Sequence, residues 1–126
     1  MQKIPQQLFW VIGVIVIVAG GIFTLWKIDT TPGPLDGFTQ CLADKDTVFY
    51  GAFWCTHCQN QKKLFGKSSK LLPYVECSTP DGRGQTQECI DKGIEGYPTW
   101  EFADGSRESG EVSLERLSEK SGCLLP

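Results

Sequence analysis

Between Ile4 and Trp26 the chain carries no charged residue, and Leu8 to Trp26 (LFWVIGVIVIVAGGIFTLW) is an almost unbroken apolar run of 19 residues. A helix of that length is about 28 Å long, close to the ~30 Å hydrocarbon core of a bilayer. Trp10 and Trp26 are 16 residues apart, about 24 Å along a helix, which suits rings placed near the two membrane surfaces. A cleaved signal peptide has an apolar stretch of about 7 to 15 residues ending at small residues. Ala19-Gly20-Gly21 supplies the small residues, but Ile22 to Trp26 carries the apolar run past them. A buried soluble helix needs one apolar stripe, whereas here every face is apolar. Residues 1–28 therefore read as a single transmembrane anchor that meets the lipid bilayer through residues 8–26.

The segment DTTPGPLD, residues 29–36, follows as a linker, because Pro32, Gly33 and Pro34 stop a helix and favour an extended tether. What remains, residues 37–126, is enough for one modest domain. With Lys3 and Lys27 set aside, the twelve basic residues fall to ten against fifteen acidic ones, a balance near −5. Nucleic-acid binding calls for a basic face, so no nucleic acid is expected as a partner. Six cysteines, five of them between Cys41 and Cys89, indicate an oxidising compartment. The expected placement is a cytoplasmic membrane, amino terminus inside, with the domain on the periplasmic or outer side.

Within the domain, Leu35, Phe38 and Leu42 recur at helical spacing. Thr47–Trp54 (TVFYGAFW) is rich in β-branched and aromatic residues and predicts a buried strand. Thr56–Phe65 contains good helix formers and meets Gly66. Tyr74–Cys77 predicts a short strand, Ser78–Gly84 a loop, Gln85–Lys92 a helix closed by Gly93, and Thr99–Phe102 a strand. Asp104-Gly105 turns that strand into a second over Ser106–Gly110, and Leu114 with Leu117 marks a last helix over Ser113–Lys120. The order α, β, α, β, α, β, β, α predicts an α/β fold, a small sheet covered by helices on both faces.

The chemistry concentrates in AFWCTHCQNQKK, residues 52–63, where Cys55 and Cys58 flank Thr56 and the chain's only histidine, His57. A cysteine on the first turn of a helix is favoured as a thiolate by free N–H groups and the dipole. Cys55 is thus the expected attacking sulfur, and Cys58, one turn on and facing inward, the resolving one. A protonated His57 would add positive charge beside Cys55, stabilise the reduced pair and make the disulfide a stronger oxidant. Structural zinc needs four ligands, of which a lone Cys-x-x-Cys supplies two, so no metal is expected. Haem attachment of the c type needs His directly after the second cysteine, where Gln59 stands. An inert disulfide stays open at this point.

The second element is GIEGYPTW, residues 93–100, in which Pro98 follows Cys58 by 40 residues and precedes a predicted strand. Alone, a proline there is edge-strand punctuation. Together with strand, Cys-x-x-Cys and helix, it resembles the thioredoxin superfamily over roughly Leu35 to Gly122. More narrowly, FYGAFWCTHCQNQKKLFG with YVEC and GYPTW is similar to the thioredoxin-like domain fused to bacterial homologues of vitamin K epoxide reductase.

That resemblance implies a central mixed sheet with helices on both faces, and a cis Pro98 lying against the cysteines. It further implies a structural disulfide between Cys77 and Cys89, which leaves Cys41 and Cys123 to pair, although six cysteines allow 15 pairings. The rival is an electron relay through Cys77 and Cys89. Trp54, Thr56 and Tyr97 are candidates for a substrate groove, with core packing the plainer role for Trp54 and Tyr50. Departures from the family are equally specific. Thr56 replaces the common proline, and Phe49 stands where thioredoxin has a buried aspartate six residues before the first cysteine.

The implied activity is thiol-disulfide oxidoreduction without a cofactor beyond the redox-active Cys55-Cys58 disulfide. The implied partners are exported cysteine-containing proteins and, in trans, a membrane quinone reductase of the vitamin K epoxide reductase or DsbB type. Two alternatives are a disulfide reductase or isomerase fed by a membrane electron donor, and a non-enzymatic anchored adaptor. Lys62, Lys63, Lys67 and Lys70 read as a solvated helix face. Ser113 and Thr39 have no histidine to activate them, so serine-type hydrolysis is not expected.

Overall fold

The computed structural model describes the backbone of residues 5–25 and 31–126. It divides into two compact units between Thr31 and Pro32. The first contains helix α1, Gln6–Leu25, 20 residues long. Pro5, with φ preset for a helix, precedes it, and its carbonyl accepts the Leu8 N–H at 2.8 Å. Side chains from Gln6 to Gly21 are exposed on every face, as an apolar helix without a stripe requires. Among the described residues, no helix is long and apolar enough to cross a membrane. The helical backbone itself continues to Leu25, about 30 Å at the usual rise. Lys3, Trp26, Lys27 and Asp29, on which the expected orientation and outer aromatic anchor rest, lie outside the described residues.

The second unit begins earlier than the 37–126 expected from the Pro-Gly composition. Gly33 is buried, its N–H donates to Asp36 Oδ2 at 2.9 Å, and the Leu35 N–H donates to Ser68 Oγ at 3.1 Å. A Cβ at Gly33 would meet Ser68, so glycine is what lets this stretch lie against the domain rather than hang free as a tether.

From Pro32 on, the elements are α2 (Asp36–Asp44), β1 (Val48–Gly51), α3 (Thr56–Leu64), a 3₁₀ helix (Gly66–Leu71), β2 (Tyr74–Glu76), α4 (Gln87–Asp91), β3 (Thr99–Glu101), β4 (Arg107–Ser109) and α5 (Leu114–Ser121). The sheet order is β2-β1-β3-β4, with β1 parallel to β2 and the other pairs antiparallel. This is a mixed α/β fold compatible with a thioredoxin-like one. The crossover from β1 to β2 through α3 is the βαβ connection that parallel neighbours need.

Strand β1 alternates its side chains between two cores. Phe49 stacks on Trp100 at 4.7 Å, and Phe65 lies 6.3 Å from Trp100, in a cluster that also takes Phe38 and Leu42 of α2 and Leu117 of α5. Tyr50 faces the other way, into a smaller cluster with Cys77, Cys89 and Ile94. Helices therefore cover both faces. Full burial of rings such as Phe49 and Trp100 contributes about 1.5 to 3 kcal/mol each, against which Trp100 Nε1 is buried with no hydrogen-bond partner.

Two expected elements change extent. The strand predicted to reach Trp54 ends at Gly51, because the Cys55 N–H turns back to the Ala52 carbonyl at 3.0 Å. The 3₁₀ helix has no counterpart in the sequence reading, since GKSSKL shows no apolar period. Disulfides join Cys41 to Cys123 and Cys77 to Cys89, with Cα atoms 5.9 and 5.5 Å apart. The first ties α2 to the segment after α5; the second ties the end of β2 to α4.

Candidate active site

Cys55 and Cys58 are the two cysteines left as thiols. Cys55 is not on the first turn of α3 but is its N-cap, with extended backbone (φ −76°, ψ 115°). Its Sγ accepts the Cys58 N–H at 3.1 Å, the place a serine or aspartate oxygen usually fills. Sulfur at a cap meets free N–H groups and the positive end of the helix dipole. Both residues are buried, Cys55 keeping 7% of its surface and Cys58 none. Burial, then the hydrogen bond with Cys55, pushes the Cys58 thiol up to about 12. The two cysteines are thereby distinguished by burial and by the hydrogen bond between them.

Gly51 makes the approach possible. A Cβ there would lie 2.8 Å from Tyr74 Cε2 and 3.1 Å from Cys58 Sγ, so α3 packs its second cysteine directly on the strand backbone. Tyr74 donates its hydroxyl to Glu76 Oε2 at 2.7 Å, and Glu76 Oε1 accepts the N–H groups of Ser78 (2.8 Å) and Phe53 (3.2 Å). Burial, followed by Glu76, raises the Tyr74 phenol far above its ordinary value. Lys62 Nζ sits 3.5 Å from the centre of the Tyr74 ring, which removes it from the solvated face expected of the lysines.

An open groove beside the dithiol is lined by Trp54, Cys55, Thr56, His57, Glu95, Gly96 and Tyr97. Trp54 is 55% exposed, meets Tyr97 edge-on at 6.0 Å and donates its indole N–H to Ser78 Oγ at 2.8 Å. Pro98 is buried, follows a cis peptide bond and opens β3; its carbonyl accepts the Gly110 N–H at 2.9 Å. Thr56 is exposed.

His57 takes a different position from the one its sequence neighbours suggest. It is 71% exposed and its Nδ1 is paired with Glu111 Oε1 at 2.7 Å. Asn60 Nδ2 donates to the same oxygen at 3.1 Å, and the two bonds hold the Glu111 carboxyl below its ordinary range. The His57 ring is thus held by a carboxylate from a distant loop. That loop is fixed by the fully buried Gln61, whose Oε1 accepts the Val112 N–H at 2.7 Å and whose Nε2 donates to the Val112 carbonyl at 2.9 Å.

Gln61, Glu111, Tyr74 and Glu76 were not legible as site residues. Gly51 carried a signal, since a glycine inside a strand pattern marks a close approach. Of the residues weighed for hydrolysis, Ser113 is the N-cap of α5 and Thr39 donates to the Leu35 carbonyl inside α2. Among the described residues no group of His, Cys, Asp and Glu side chains is placed to hold a metal ion.

A dithiol whose first cysteine caps the helix that follows a central strand, with a cis proline directly before the neighbouring strand β3, is the make-up of a thioredoxin-like thiol-disulfide oxidoreductase. The comparisons with known proteins agree with that class. The chain is 47% identical over 81 residues to thiol-disulfide oxidoreductase LTO1 of Arabidopsis thaliana, covering 60% of this chain and 21% of that protein. It is 32% identical over 104 residues to the thioredoxin domain-containing protein 5 homolog of Drosophila melanogaster, covering 69% and 24%. No family model matches the chain. The chain spans about a fifth to a quarter of the length of these relatives, and both point to the thioredoxin-like superfamily.

Proposed function

We propose that this chain is a membrane-tethered thiol-disulfide oxidoreductase that promotes disulfide formation in exported proteins. The observation that carries the reading is the Cys55-Cys58 pair itself: a helix-capping sulfur at the groove, backed by a fully buried second sulfur, in a chain whose other four cysteines are bonded. A substrate thiolate attacks Cys55 Sγ of the oxidised pair, forming a mixed disulfide and releasing Cys58 as the leaving thiol. A second substrate thiolate then attacks the substrate sulfur, so the substrate leaves oxidised and Cys55-Cys58 leaves as a dithiol carrying two electrons.

A membrane quinone reductase acting in trans, of the vitamin K epoxide reductase or DsbB type, accepts those electrons. Helix α1 serves as the anchor, which raises the effective concentration of the domain near such a partner. Support for the tether is the 20-residue helix and its apolar faces; support for the oxidising side is the pair of further disulfides, which persist where thiols are not kept reduced.

The test is a Cys58→Ser chain expressed in cells with exported cysteine proteins. Mixed disulfides through Cys55 accumulate on nonreducing gels; their absence, with Cys55 still open to alkylation, sinks the reading. Equilibration with glutathione decides the direction, since a potential near −270 mV marks a reductase and one near −120 mV an oxidant.

A further inference from the structure

Glu95 lines the groove beside Cys55, and the backbone that carries it is tied on both sides. Before it, Ile94 is buried against Tyr50, Cys77 and Cys89; its N–H donates to the Cys89 carbonyl at 2.9 Å, and its carbonyl accepts Gln85 Nε2 at 2.7 Å. After it, the Gly96 carbonyl accepts the Thr99 hydroxyl at 2.8 Å. The Glu95 side chain itself is exposed, and its carboxylate has no hydrogen-bond or ion-pair partner among the described residues. Arg107 lines an adjoining hollow with Glu95. Its guanidinium is already taken by Glu101 at 2.6 Å and by the carbonyls of Lys92 and Gly93 at 2.7 and 3.4 Å.

The other lining side chains able to carry charge near neutral pH are Cys55 and His57. Cys55 carries none in the disulfide form, and His57 is held by Glu111 at 2.7 Å. The oxidised groove thus presents one unmatched charge, a negative one, in a lining that also holds the edge-on rings of Trp54 and Tyr97. We propose that Glu95 selects the substrate, favouring cysteines that have a lysine or arginine as a near neighbour in the chain, a role that rests on the dithiol reading above.

The substrate's cation meets the Glu95 carboxylate while its stem or guanidinium plane lies on an aromatic ring of the groove. The neighbouring substrate thiolate is thereby brought to Cys55 Sγ. The exchange keeps its form: the thiolate sulfur bonds to Cys55, the Cys55-Cys58 bond breaks, and Cys58 leaves with the electron pair. Glu95 gives and takes no proton or electron. Because the groove is open, the contact acts as an exposed ion pair does. Salt weakens it, since the screening length shrinks from about 10 Å at 0.1 M to about 3 Å at 1 M.

The experiment follows oxidation of reduced dicysteine peptides by the oxidised full chain in an uncharged detergent, with acid quenching and mass spectrometry of the alkylated thiols. The peptides differ only in whether lysine, alanine or glutamate flanks each cysteine. In the parent chain kcat/KM for the lysine peptide exceeds that for the glutamate peptide about fivefold at low salt, and the two converge near about 1 M salt. Glu95→Gln brings that ratio close to unity and Glu95→Lys inverts it, with the rate on the alanine peptide unchanged. Comparing ratios between chains cancels the different acidities of the peptide thiols. Glu115→Gln, on α5 and outside the groove lining, removes an equal charge and keeps the parent ratio. No lysine preference in the parent, a preference that survives Glu95→Lys, or one that Glu115→Gln lowers as far as Glu95→Gln does, overturns selection by Glu95 alone. Failure of the parent chain to oxidise even the alanine peptide overturns the dithiol reading and the selection with it.

Discussion

His57 Nδ1 and Glu111 Oε1 stand 2.7 Å apart across 54 residues of sequence. The histidine that stands between the two cysteines is therefore held by a loop carboxylate.

Replacing Glu111 with Gln removes a negative charge beside the dithiol. Positive potential then rises at the N-terminus of α3, which stabilises the reduced pair and makes the disulfide more oxidising. Redox equilibration against glutathione should move to a less negative potential, and an unchanged or more negative value refutes the role given to the pair. The pH sign follows from the lowered Glu111 pKa. Its stabilisation is present above the ordinary carboxyl value and is lost as pH falls through the depressed one, so parent and Glu111→Gln chains converge in stability at low pH.

Gln61 holds both backbone groups of Val112. Gln61→Leu fills similar space but leaves two buried polar groups without partners, a cost of about 2 to 4 kcal/mol. Urea unfolding should show that loss, and the redox potential should shift in the Glu111→Gln direction because the loop carrying Glu111 is released.

At Gly51 the sheet and α3 touch. Gly51→Ala places a methyl 2.8 Å from Tyr74 Cε2 and 3.1 Å from Cys58 Sγ, and overpacking of this kind costs about 1 to 3 kcal/mol. The melting temperature falls, and a stability equal to the parent's contradicts the packing.

The reduced and oxidised proteins should respond differently to alkali. Burial raises the Cys58 thiol from an ordinary value of 9.0 to about 12. The unfolded chain thus loses this proton before the folded one. The contribution is complete below pH 9 and declines as pH rises toward 12. Oxidation removes the group, so urea midpoints above pH 9 should fall faster for the reduced form than for the disulfide form.

The two structural disulfides close loops of different length, with separations of 82 and 12 residues. Removing Cys41-Cys123 by double alanine substitution costs about 4.5 kcal/mol by loop entropy, and removing Cys77-Cys89 about 3 kcal/mol. Only the second frees the segment whose Ser78 Oγ anchors the Trp54 indole. Denaturant curves should rank the two variants in that order, and only Cys77→Ala/Cys89→Ala should change the quenching of Trp54.

Much of the frame was readable from local pattern. The apolar run, the Cys-x-x-Cys between a β-rich stretch and a helix-forming one, and the proline before TWEF each act over a few residues, where propensity and spacing speak directly. The misplaced features were decided otherwise. The strand stops at Gly51 rather than Trp54 because the chain must turn through Ala52 to cap α3 with Cys55. Gly33 joins the domain because Ser68 comes to meet it.

By itself, the order of residues determined which sulfurs stand next to each other, where helix and strand propensities change over, and that one stretch is apolar on every face, because these depend on near neighbours. Tertiary structure alone decided what surrounds those sulfurs. Glu111 reaches His57, Gln61 clasps Val112, and Tyr74 with Glu76 lies beneath Cys58 because packing and strand register bring distant residues within hydrogen-bonding range. Those contacts depend on the whole core closing, and no short window of the chain contains them.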